Sequence, residues 1–124
     1  MMEKSNTFKG LIVWQKAHLL VLSIYKVTKN YPKEEFYALT SQVRRAAVSI
    51  AANIAEGYKK KTTPNKLYFL NISEGSLEEV KYYILLSKDL EYIKEKTANE
   101  LDNLADEVGR LIHGYSKSVS INKI

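Results

Sequence analysis

"SQVRRAAVSIAANIAEGYKKK", residues 41–61, sets two adjacent arginines before a run of small and branched apolar residues and closes it with three adjacent lysines. Placed at about 100° per residue, the stretch separates into faces. Gln42, Arg45, Ser49, Asn53, Glu56 and Lys60 make one narrow polar stripe, and Val43, Ala47, Ile50 and Ile54 lie beside it as an ordinary core face. Val48, Ala51, Ala52 and Ala55 then widen the apolar arc beyond about 200°, where a surface helix needs little more than about 100°. Arg44 falls inside that extra arc. Such a helix needs cover on two sides, from the rest of its own chain if it is central, or from another copy. The second is the expectation here, with Arg44, Val48, Ala51, Ala52 and Ala55 as a homo-oligomer interface. Arg44 would pack its stem there and pair its guanidinium with a carboxylate or phosphate.

Three further helices flank this one. Val13, Ala17, Leu20, Val21 and Ile24 recur at helical spacing and predict a helix over 11–29, which stops before "NYP" because proline disfavours helix at Tyr31. "PKEE" places Pro32 and two carboxylates where a first turn of the second helix, over 37–60, would use them. "TTPN" predicts a third helix over 64–91, with Thr63 as N-cap and Pro64 as first helical residue. In the fourth, over 98–117, Thr97 and Glu100 have capping-box spacing, and the tail after Lys117 is expected to fray. Gly75 inside the third helix costs about 1 kcal/mol relative to alanine, so close helix packing at Gly75 and Ser76 is expected to offset it. Short links favour antiparallel neighbours. The expected architecture is all-α, an antiparallel up-down four-helix bundle forming one domain over 1–124 and assembled as a homo-oligomeric ring. The alternative is a three-helix arrangement with the second helix broken near Gly57.

Composition narrows the function classes. The chain has 124 residues and no cysteine, which removes disulfides, thiolate metal sites and cysteine nucleophiles and fits a reducing cytoplasm. No apolar run approaches the ~18 residues of a membrane span. His18 and His113 fall on different helices without metal-site spacing, Glu34 and Glu35 point about 100° apart, and no helix carries a Glu-x-x-His pair. "EGYKKKT" lacks the first glycine and the Gly-Lys-Ser/Thr ending of a phosphate loop. Neither a cofactor, a metal nor catalysis is expected.

Positive charge is the stronger signal. The net charge of +5 divides into +8 over residues 1–66 and −3 over 67–124. Arg44, Arg45, Lys59, Lys60, Lys61 and Lys66 gather at the two ends of the second helix and the start of the third. Tyr58 and Tyr68 stand near the lysines, and flat rings beside cations stack on unpaired bases. These six cations are the candidate nucleic-acid-binding residues, for RNA or DNA, with salt-sensitive, sequence-tolerant binding expected. A solvated loop whose lysines serve solubility is the plain alternative.

"FKGLIVWQKAHLLVLSIYKVTKNYPKEEFYALTSQVRRAAVSIAANIAEGYKKKT" together with "YFLNISEGSLEEVKYYILLSKDL" closely resembles the bacterial four-helix-bundle family encoded in intervening sequences of large-subunit ribosomal RNA genes. The resemblance covers roughly residues 8–115 and is most specific in "LTSQVRRAAVSIAANIAEG" and "GSLEE". It implies an antiparallel four-helix bundle and homopentameric rings, and no catalytic residues come with it. Arg44 and Arg45 match the family's paired basic position, and Asn53, Glu56 and Gly57 match its "N-I-A-E-G" element. "YKKKTTPN" departs from the family, where a serine-containing link is more usual. A similar bundle is the accessory variability protein of diversity-generating retroelements, which implies a rival role as a protein-interaction subunit of a reverse transcriptase.

Overall fold

A computed structural model describes residues 7–121. Its helices are α1 (Ile12–Thr28), α2 (Leu39–Lys59), α3 (Thr63–Asp89) and α4 (Glu95–Ile121), with short 3-10 turns at Phe8–Gly10 and Lys33–Glu35. No strand occurs among the described residues. α1 packs on α2 and α4, and α3 packs on α2 and α4, so that α1 and α3, like α2 and α4, stand across the bundle diagonal from each other. Contacts run in opposite senses along each neighbouring pair. On α2 and α3, Ser49 meets Ser76 and Tyr58 meets Lys66; on α3 and α4, Lys81 meets Asp106 and Leu77 meets Gly109. The result is the expected antiparallel four-helix bundle, with α2 unbroken through Gly57.

One core runs the length of the bundle. Leu20 and Ile24 of α1, Ile50 and Ile54 of α2, Leu70 and Val80 of α3, and Val108 and Ile112 of α4 are almost wholly buried in it. The α2–α3 seam is built from small polar groups. Ser73 Oγ donates to the Ile50 carbonyl at 2.9 Å, the Ser49 and Ser76 hydroxyls pair at 2.8 Å, and Asn53 Nδ2 donates to the Ser49 carbonyl at 2.8 Å. The polar groups of Ser49, Asn53, Ser73 and Ser76 are thus satisfied while the two backbones stay close. The seam is tight at Gly57, where an added Cβ would stand 3.1 Å from Phe69 Cβ and 3.3 Å from the Lys66 carbonyl oxygen. Gly75 does not have the role expected of it, since a Cβ there would meet nothing within 4 Å.

The helix ends differ from the expected ones for local reasons. Pro32 opens the 3-10 turn rather than α2, and Glu35 serves α2 from outside: its Oε1 accepts the Leu39 amide at 3.2 Å while Oε2 accepts the Tyr92 hydroxyl at 2.7 Å. Thr62, not Thr63, caps α3 through the Asn65 amide. α3 ends in a Schellman arrangement, with the Tyr92 amide bonded to the Ser87 carbonyl and Glu91 in the left-handed region at φ 66°. That turn lets α4 begin at Glu95, so Thr97 lies inside its first turn instead of capping it. α4 continues through Lys117 to Ile121; residues 122–124 lie outside the described part.

Burial leaves an alkaline signature. Burial raises the Tyr31 hydroxyl above its ordinary value, with the nearby Ser87 hydroxyl pulling the other way, and burial raises Tyr115. Lys81 is raised chiefly by its hydrogen bond to Asp106. An unfolded tyrosine ionises near pH 10, before its folded counterpart, so the unfolded state binds fewer protons there and stability falls as pH rises further. The melting temperature is therefore expected to decline from about pH 10 upward, and Tyr31→Phe with Tyr115→Phe to flatten the decline in thermal melts between pH 8 and 11. A wild-type melt unchanged over that range would contradict the burial assigned to both rings.

Candidate nucleic-acid interface

α2 holds the candidate residues at its two ends, as its sequence places them. A helix rises 1.5 Å per residue, so Arg44 and Arg45 stand roughly 20 Å along the axis from Lys59–Lys61. Arg44 is half-buried against α1: its Nε donates to Thr28 Oγ1 at 2.8 Å, and its guanidinium lies 4.6 Å from the Tyr25 ring centroid. Arg45 is exposed. At the far end, Lys66 Nζ donates to the Tyr58 carbonyl at 2.7 Å, closing the C-terminus of α2, where a cation also suits the helix dipole. Lys60 Nζ stands 3.9 Å from Glu56 Oε2 and 5.0 Å from the Phe69 ring. Lys59 and Lys61 are exposed and make no ion pair among the described residues.

The expected interface strip is likewise redistributed. Ala51 is only 7% exposed within the single chain, and Ala46 beside it 5%. α1, α3 and both 3-10 turns pack on α2, so its own chain provides much of the cover. Val48 and Ala52 remain exposed and Ala55 half-buried. Ala52 and Ala55 line an open groove of about 530 Å³ together with Thr7, Phe8, Glu56, Tyr58 and Lys59.

Antiparallel topology adds residues that sequence spacing alone does not connect. α1 and α3 begin, and α2 and α4 end, at the same pole of the bundle. Lys9 beside α1 and Lys117 near the end of α4 therefore join Lys59, Lys60, Lys61 and Lys66 there, against the single carboxylate of Glu56 among the described residues of that pole. The opposite pole interleaves Lys26, Lys29, Lys33, Arg44, Arg45, Lys88, Lys94 and Lys96 with Glu34, Glu35, Asp89, Glu91, Glu95 and Glu100. The bundle is thus electrically polar along its axis. Tyr68, 61% exposed and edge-on to Phe69 at 5.1 Å, gives the basic pole a ring face. Reading the helices as antiparallel before collecting cations would have found Lys9 and Lys117.

Ammonium groups in this arrangement act as point charges toward phosphates and carry no base specificity. No group of three or more His, Cys, Asp or Glu side chains able to hold a metal occurs among the described residues. His18 lies flat on Trp14, with ring centroids 4.9 Å apart. No helix of the described residues is long and apolar enough to cross a membrane.

The model of the family described as 23S rRNA-intervening sequence protein matches residues 9–114. Among solved structures, the chain is similar to a protein of unknown function from the S23 ribosomal protein family of Bacteroides thetaiotaomicron. The two are 24% identical, the match covers 86% of this chain and 96% of that one, and the TM-score is 0.79, a likeness of fold. No curated protein matches.

Proposed function

Because the chain belongs to the 23S rRNA-intervening sequence protein family, we propose that it is a non-enzymatic, homo-oligomeric helical bundle that binds RNA through its basic pole. The carrying observation is the charge asymmetry: six lysines against one carboxylate at the α2–α3 end, and a near-balanced mixture at the other. Such a pole collects phosphates by displacing counterions, tolerates any base sequence and gains from repetition in an oligomer. The groups there are ammonium ions and phenol rings, which supports binding over bond-breaking chemistry.

Fluorescence anisotropy with a labelled single-stranded RNA tests the reading. Six contacts to a single strand predict an affinity loss of roughly 300-fold between 50 and 200 mM salt. Changing Lys59, Lys60 and Lys61 to glutamine is expected to weaken binding and reduce the salt effect to roughly 20-fold, from three remaining contacts. Unchanged affinity in that variant at low salt would remove the pole from the account. A protein partner recovered after nuclease treatment, together with silence toward RNA, would favour the accessory-subunit role instead.

Oligomerisation is assigned to the exposed strip of Val48 and Ala52 with half-buried Ala55. Ala52→Glu places a charge on that strip without touching the core. Light scattering is expected to report a multiple of 14.2 kDa for the wild type and a fall toward 14.2 kDa for the variant. A wild-type monomer at 100 µM (a concentration chosen to favour assembly) would refute the assembly.

A further inference from the structure

A second feature lies at the opposite pole, in the corner where the α1–α2 link turns. Lys29, Lys33, Phe36, Tyr37, Thr40 and Arg44 line an open cleft of about 460 Å³, completed by Thr28, Tyr31 and Pro32. Its volume is in the range of small-molecule sites. We propose that this cleft binds a nucleoside phosphate, with the phosphate held by Arg44, Lys29 and Lys33 and the base stacked on the Phe36–Tyr37 pair. The inference rests on the nucleic-acid reading above for an RNA source of that nucleotide, and adds to it a place where a base is gripped.

Four observations converge on this chemistry. Arg44 is pre-aimed, because Thr28 Oγ1 holds its Nε at 2.8 Å and the Tyr25 ring supports its plane, which leaves both terminal nitrogens for a forked contact. Thr40 is 3% exposed, and its buried hydroxyl has no hydrogen-bond partner among the described residues, a cost that a phosphoryl oxygen would relieve. α2 begins at this corner, and Ala38 at its N-cap offers no side-chain bond, so the positive end of its dipole, partly offset by the Glu35 carboxylate on the Leu39 amide, adds to the three cations. Glu35 puts a negative charge on the same link, but its oxygens face the Leu39 amide and the Tyr92 hydroxyl, and neither it nor Glu34 lines the cleft.

The rings argue for a base rather than a bare anion. Tyr37 is 90% exposed and Phe36 52%, set edge to face with centroids 4.8 Å apart. Two large rings held in water beside three cations suit a planar partner that carries negative charge. Neither ring contributes to the core, so both can be removed without unfolding the chain.

Calorimetric titration of the full chain with AMP, inorganic phosphate and a short single-stranded RNA tests the proposal. AMP is expected to bind more tightly than phosphate. The Phe36→Ala/Tyr37→Ala variant is expected to weaken AMP by at least roughly fivefold, the value of one stacked base, with no change in melting temperature. Arg44→Gln should weaken both anions, and glutamine at Lys59–Lys61 should leave AMP unaffected. RNA binding that depends on the ring pair, with AMP inactive, supports the site with a nucleotide within a chain as its ligand. AMP binding through the rings, with RNA inactive, supports it with free nucleotide and ends the RNA reading. The proposal is overturned if phosphate matches AMP, if the ring variant titrates like wild type, or if AMP is inactive and RNA binding follows Lys59–Lys61 alone, which leaves the RNA reading standing.

Discussion

Gly57→Val is expected to lower the melting temperature by roughly 10–15 °C. At this position a Cβ alone would stand 3.1 Å from Phe69 Cβ and 3.3 Å from the Lys66 carbonyl oxygen. Both neighbours are fixed to the backbone of α3 and cannot swing aside. Valine adds two methyl groups beyond that crowded atom, so α2 and α3 must separate at the pole where Lys66 closes α2. Overpacking of this kind costs about 3 kcal/mol, and a chain of this length loses roughly 3–5 °C per kcal/mol. Gly75 provides the contrast. An alanine there meets open space on a helix whose backbone needs no special conformation. Gly75→Ala is therefore expected to gain about 1 kcal/mol in helix propensity. Parallel thermal melts of the two variants check the assignment, and equal melting temperatures would show that the seam is not tight at Gly57.

These two glycines illustrate how far the fold can be read from residues alone. Apolar spacing placed all four helices, and Pro32 with Pro64 marked two of the three links, because proline excludes helix before it and favours a first turn after it. The sequence could not say which glycine lies at a crossing, since that depends on the register of α2 against α3. The α3–α4 link was the least legible. Its left-handed residue is Glu91 rather than the glycine that usually signals such a turn, so α4 was expected three residues later than it begins.

The candidate site was legible in its residue types but not in its grouping. Arginines 44 and 45 and lysines 59–61 read as one bracket around α2, and the helix itself holds them about 20 Å apart. Arg44 pairs with Thr28 and Tyr25 of α1, contacts that link residues far apart in the chain and leave no local pattern. Ala51 read as interface because its helix is apolar over so wide an arc, yet neighbours from the same chain bury it. Surplus apolar width on a central helix reports on its neighbours within the chain as well as outside it.

The location of charge, rather than its amount, is what the functional account depends on. Changing Lys59, Lys60 and Lys61 to glutamate shifts the net charge from +5 to −1, and so does changing Lys26, Lys94 and Lys96, which are exposed at the opposite pole. The two variants would migrate alike as bulk ions and differ only in which end is inverted. Each contact to a single strand contributes about fivefold at 0.1 M salt, so three lost contacts weaken binding roughly a hundredfold. Measured side by side against one single-stranded RNA at 0.1 M salt, the first variant is expected to lose that hundredfold or more and the second to stay within a few fold of wild type. Equal losses in the two would mean that RNA responds to total charge and that the basic pole is no site at all.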